Sequence, residues 1–61
     1  MIQTRACKVE LQSKVGPRVV VSGTWEREEI ERELPTGWTI GGWSEGVKLP
    51  DGAVAYRLAQ V

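Results

Sequence analysis

Histidine is absent from this 61-residue chain, and cysteine occurs once, as Cys7. Without histidine no Ser-His-Asp or Cys-His arrangement can assemble, and a zinc site loses its commonest nitrogen ligand. A single cysteine rules out an intramolecular disulfide. The glycines at 37, 41, 42 and 46 match neither a P-loop nor a dinucleotide fingerprint, because the chain contains no G-x-x-x-x-G-K-[ST] and no G-x-G-x-x-G. Together these absences predict no catalytic residues, no metal and no cofactor. They place the chain outside the enzymes.

Long apolar runs are missing too; Val19-Val20-Val21 is typical of those present. The expectation is a cytoplasmic protein with no signal-peptide core, no membrane span and no lipidation signal. The lone thiol suits a reducing compartment. Nor is there an excess of one charge: eight basic residues balance eight acidic ones. The overall basic signature of a nucleic-acid binder is therefore lacking. The charges are nevertheless segregated. Residues 1–23 carry Arg5, Lys8, Lys14 and Arg18 against Glu10 alone. Residues 24–35 carry Glu26, Glu28, Glu29, Glu31 and Glu33 against Arg27 and Arg32.

What is present reads as one small domain over residues 1–61. A chain this short buries only about 60% of its unfolded surface, so it needs dense packing or a second subunit. CKVELQ, residues 7–12, alternates apolar and polar, and predicts a half-buried strand from about Thr4 to Lys14. Gly16-Pro17 marks a turn. RVVVSG, residues 18–23, is rich in β-branched residues and predicts a second strand, paired with the first as a hairpin.

TWEREEIEREL, residues 24–34, is composed mostly of good helix formers. Thr24 is the expected N-cap, with no capping box because position 27 is arginine. Glu28 and Arg32 form an i,i+4 pair, and Pro35 stops the helix. Ile30 and Leu34 share a face and should dock on the sheet. Residues 38–49 read as a third strand interrupted by glycines. Pro50-Asp51-Gly52 is a hairpin turn, and AVAYRLAQV is the last strand, with Val54, Tyr56 and Leu58 on one face. The predicted fold is α+β in the order β-β-α-β-β, an antiparallel sheet with one helix packed on one face. Its expected core is Val9, Leu11, Val19, Val21, Ile30, Leu34, Trp38, Ile40, Val54, Tyr56 and Leu58, with Cys7 as a small core residue.

GWTIGGWSEG, residues 37–46, is a tandem pair of pentapeptides holding Trp38 and Trp43. In an unbroken strand the two rings would point to opposite faces; one bulged residue at Gly41-Gly42 would bring them to the same face. Trp38 and Trp25 are assigned to the core. Trp43, flanked by glycines, is the candidate contact residue, since tryptophan is enriched in interface hot spots.

LPTGWTI, followed by DGAVAYRL, resembles the opening of a WW domain, which begins LPxGW and continues with a Gly-aromatic strand. The resemblance covers less than half of the chain. The paired aromatics of that strand and the closing Trp and Pro are lacking, and LPxGW also serves as a plain helix stop and strand start. The resemblance therefore adds nothing to the architecture already read.

Three functions follow as expectations. The first is a non-enzymatic protein-binding module or inhibitor. It would be an accessory protein of the kind carried by phages and mobile elements, acting on a host protein through Trp43, Glu28, Glu29, Glu31 and Glu45. The alternative is a nucleic-acid-binding sheet using Arg5, Lys8, Lys14 and Arg18 on the first hairpin, with Trp43 or Tyr56 stacking on bases. A further alternative is an oligomer that sequesters a small ligand or nucleotide near the glycines. A homodimer is expected, because an open sheet has two unpaired edges and one narrow helix cannot cover both faces. Val20, Ala53, Ala55, Ala59 and Val61 would lie in its interface.

Overall fold

The structure is a computed structural model and describes residues 5–61. Among these residues it is an α+β fold: one antiparallel sheet of five strands with one helix. The strands are β1 (Ala6–Glu10), β2 (Arg18–Ser22), β3 (Trp38–Ile40), β4 (Val47–Lys48) and β5 (Val54–Gln60). The helix α1 (Arg27–Glu33) follows β2, and a 3₁₀ turn (Trp43–Glu45) separates β3 from β4.

β1 and β2 form the expected hairpin, with Glu10 opposite Arg18 and Cys7 opposite Val21. The first strand stops at Glu10 rather than Lys14, because Glu10 is already opposite the first residue of β2. Residues 11–17 make the return, with the Gly16 N–H donating to the Ser13 carbonyl at 3.1 Å. Leu11 thereby leaves the expected core and is 42% exposed. The expected start at Thr4 lies outside the described residues.

β5 is the central strand. The Leu58 N–H donates to the Pro17 carbonyl beside β2, while the Arg57 and Ala53 carbonyls accept from Gly41 and Leu49 on the other side. β2 therefore borders one edge of β5, and β3 and β4 share the other. Between Ile40, opposite Leu58, and Val47, opposite Ala55, the edge chain advances seven residues while β5 advances three. The third strand is thus cut in two by four extra residues, not bent by a single bulged one. An even excess keeps the alternation of faces. Val47 remains on the side of Ala55, and the looped-out Trp43 is free to fold over the sheet.

The helix begins later than expected. Its N-cap is Glu26, and Thr24 and Trp25 lie before the helix. The Glu29 carboxylate accepts the Glu26 backbone N–H at 3.0 Å. The spacing of a capping box is therefore present, displaced two residues from the position read at Thr24. Trp25 is held outside the helix because its indole N–H donates to the Ser22 carbonyl at 3.0 Å. At the other end, Pro35-Thr36-Gly37-Trp38 reverses the chain, with the Trp38 N–H donating to the Pro35 carbonyl at 3.2 Å. Gly37 has φ +93° at the third position of that turn, a conformation that favours glycine.

The core lies between the sheet and α1. Val19, Val21, Ile30, Ile40 and Leu58 are buried together, with Val19 wholly so. Cys7, Val9, Trp25, Leu34, Trp38, Trp43 and Tyr56 pack around them half-buried. Val54 is also half-buried, while Ala53 and Ala55 are buried, so those two alanines do not provide an open interface surface.

Ile30 is the one buried side chain of α1, 3% exposed. Ile30→Ala should cost about 2–5 kcal/mol, and Leu34→Ala distinctly less because Leu34 is only half-buried. Urea unfolding of the two variants checks this ranking. Equal losses would mean that the helix docks through both residues alike.

Candidate protein-binding surface

The residues selected for a protein contact come from two segments, the helix and the GWSEG pentapeptide. The structure brings these segments together. Trp43, thrown out of the edge strand by the four-residue excursion, folds back over the core side of β5 and meets the Tyr56 ring at 5.3 Å between centroids, tilted by 56°. The Arg27 guanidinium, in the first turn of α1, lies 5.1 Å from the centre of the Trp43 ring. Trp43 is thus half-buried, one side on the core and the other capped by a cation.

Gly46 makes this fit. A Cβ at that position would stand 2.8 Å from Val54 Cγ1 and 2.9 Å from Tyr56 Cε1. Only glycine lets the returning chain lie so close on those side chains without a shift. The excursion therefore acts as a second cover on the sheet face whose other part α1 covers.

The acidic candidates separate into two kinds. Glu28, Glu31 and Glu45 are exposed. Glu28 approaches Arg32 at 3.9 Å with both side chains open to water, a contact worth little. Glu29 instead has a structural position. Its carboxylate accepts from the Arg5 guanidinium at 2.7 Å as well as from the Glu26 N–H. Arg5 also lies over the Trp25 ring, 4.1 Å from its centre. Arg5, Trp25 and Glu29 tie the beginning of β1 to the first turn of the helix.

Of the four basic candidates on the first hairpin, two are engaged with glutamates. Arg5 bonds Glu29, and Arg18 Nε donates to Glu10 at 2.6 Å. Lys8 is exposed on the helix-free face, opposite Val20, and Lys14 is exposed in the loop before β2. Strand alternation already puts Arg5 on the face of Cys7 and Val9, with Lys8 and Arg18 on the other; what it could not foresee is the Arg5 bond to Glu29, because the position of α1 beside the start of β1 is set by tertiary packing.

Cys7 is half-buried beside the core. Burial raises its thiol pKa, and the nearby Glu33 carboxylate raises it further. The thiol therefore stays protonated and is a poor nucleophile. Among the described residues no group of three or more His, Cys, Asp or Glu side chains is placed to hold a metal ion. Among them, too, no helix is long and apolar enough to cross a membrane. No protein-family model, curated protein or solved structure matches the chain.

The Glu29 pKa lies below the ordinary glutamate value, held down first by the Arg5 hydrogen bond and then by the Glu26 N–H. A depressed carboxylate contributes stability above its unfolded pKa and loses it as pH falls through the folded one. Glu29→Gln should therefore be less stable than the parent chain at neutral pH, and the gap should close on the acid side. Urea midpoints at the two pH values test it. A gap that does not change with pH would show that the glutamate charge contributes nothing to the tie.

Proposed function

We propose that the chain is a small, non-enzymatic protein-binding module or inhibitor that meets a basic partner with the surface formed by α1 and the Trp43 turn. The observation that carries this reading is the Arg27–Trp43 contact. It joins an aromatic anchor to the helix that carries the exposed Glu28 and Glu31, and the exposed Glu45 ends the same turn as the ring. A half-buried tryptophan ringed by charge is the composition expected of an interface hot spot and its polar rim. Complementary charge would speed encounter and select the partner. The small size suits a cytoplasmic accessory protein of a phage or mobile element that acts on a host protein. The nucleic-acid alternative draws less support, because Arg5 and Arg18 are each bonded to a glutamate.

The test is quantitative capture of proteins from a host lysate on the immobilised chain, at low and moderate salt, beside the Glu28→Lys/Glu31→Lys double variant. These two residues are exposed, so the fold should persist. The reading expects a basic protein retained by the parent, released by salt and lost by the variant. Equal retention by both chains would refute the acidic surface, and retention of nucleic acid instead would favour the alternative.

A two-fold homodimer belongs to the same proposal, and the outer edge of β1, which pairs with no strand among the described residues, suits it better than the open sheet face. The hydrogen-bonding groups of Cys7 and Val9 point outward there, because the alternation set by Leu58 and Pro17 turns those of Lys8 toward β2. Pairing centred on Val9 would set Lys8 beside Glu10 of the second copy; centring on Lys8 would oppose two lysines. Sedimentation equilibrium over a micromolar range should show a dimer that Val9→Pro disrupts. A single 6.8 kDa species at every concentration would sink the dimer.

A further inference from the structure

The face of the sheet turned away from α1 carries a row of three charges, Glu10, Arg18 and Arg57, side by side on β1, β2 and β5. Arg57 directs its backbone carbonyl to Gly41 and not to β2. Arg18 and Arg57 are therefore opposed without backbone bonds between them, the pairing that brings side chains closest. Two like charges in that position are destabilising. Glu10 relieves Arg18 through a 2.6 Å bond to Nε, which leaves the two terminal nitrogens of Arg18 uncommitted to it. Among the described residues no carboxylate pairs with Arg57.

This arginine pair borders a pocket of about 490 Å³. Ala55 lines it from β5, Val47 from β4 and Val15 from the loop before β2. Val15 and Val47 are 77% and 61% exposed, so both present apolar surface to whatever occupies the pocket. Glu45 also lines the pocket. Its charge and that of Glu10 together balance the two arginines, so the pocket carries no net charge and holds an anion by direct guanidinium hydrogen bonds rather than by long-range attraction. The site combines a guanidinium fork for one planar anion with an apolar wall for a short hydrocarbon body.

We propose that this pocket binds a carboxylate carried on a short, branched apolar body, such as a small carboxylic acid or a chain end with an apolar last residue. The carboxylate sits between Arg57 and Arg18, and the hydrocarbon lies on Ala55 between Val15 and Val47. This goes beyond the protein-binding reading and does not rest on it, since Arg18, Arg57, Val15 and Val47 take no part in that surface and only Glu45 is shared.

Titrations followed by amide NMR shifts test it with four probes: isovalerate, its neutral analogue isovaleramide, inorganic phosphate, and acetyl-alanyl-valine with a free carboxylate. Isovalerate should give saturable shifts at Ala55 and Arg57, with isovaleramide and phosphate at least several-fold weaker. Tighter binding of the peptide assigns the site to chain ends, and tighter binding of isovalerate to small acids; both support a carboxylate site. Arg57→Gln should weaken isovalerate roughly tenfold or more, whereas Arg32→Gln, which removes the same charge from the helix, should not. Glu45→Gln should tighten it about twofold to fivefold, so the proposal stays testable even where Arg57→Gln disturbs the fold. Equal shifts from isovaleramide, non-saturating shifts, or variants that all bind like the parent would overturn it.

Discussion

β5 is the strand that must satisfy three partners, because one of its two paired edges is shared between two strands. β2 borders one side, and β3 and β4 divide the other. β1–β2 and β4–β5 are local hairpins, closed by short turns. Joining them requires Val19 to find Tyr56 across most of the chain. That closure brings the entropy cost of a long loop, and it is compensated by burying Val19 completely. Once it is made, the opposed arginines, the helix dock and the Trp43–Tyr56 contact all have fixed positions.

The helix depends on this frame. Seven residues are too few to hold helical structure alone in water. One buried side chain, Ile30, sets it on the sheet, and the Arg5–Glu29–Glu26 bonds fix its first turn. So short a helix leaves β5 without cover on the core side. The four extra residues between β3 and β4 supply that cover with Trp43, which explains how a chain of this size, with no disulfide, encloses a core under one helix. The same excursion interrupts the outer edge of β5's neighbours, and an interrupted edge is a poor template for unwanted strand pairing.

Much of this was legible from local pattern. The alternation around Val9 and around Tyr56, the Gly16-Pro17 turn, the Pro50-Asp51-Gly52 turn and the helix within residues 24–34 all rest on interactions between near neighbours. What escaped were effects of distant ones. Leu11 continues the apolar alternation but falls where the register with Arg18 ends the strand. Thr24 is the better N-cap by type, yet Trp25 is drawn to Ser22 and the core, and the cap moves to Glu26. Trp43 posed a choice between core and contact, and the excursion leaves its ring half-buried, between Tyr56 and the Arg27 guanidinium. The arginine pair was invisible because Arg18 and Arg57 become neighbours only through the pairing of β2 with β5.

Glu45 connects the two proposed surfaces. It belongs to the rim around Trp43 and also lines the pocket beneath Arg57. A basic partner that neutralises Glu45 would remove the one acidic charge lining the pocket, and a carboxylate would then bind there more tightly. Linkage makes the effect reciprocal: a bound carboxylate adds negative charge near the same rim and strengthens the basic partner by the same factor. The coupling needs no movement of the backbone, only a shared side chain at the end of a short turn. Its size is bounded by a single exposed charge, so it would tune affinity by small factors and would fade as salt screens the rim.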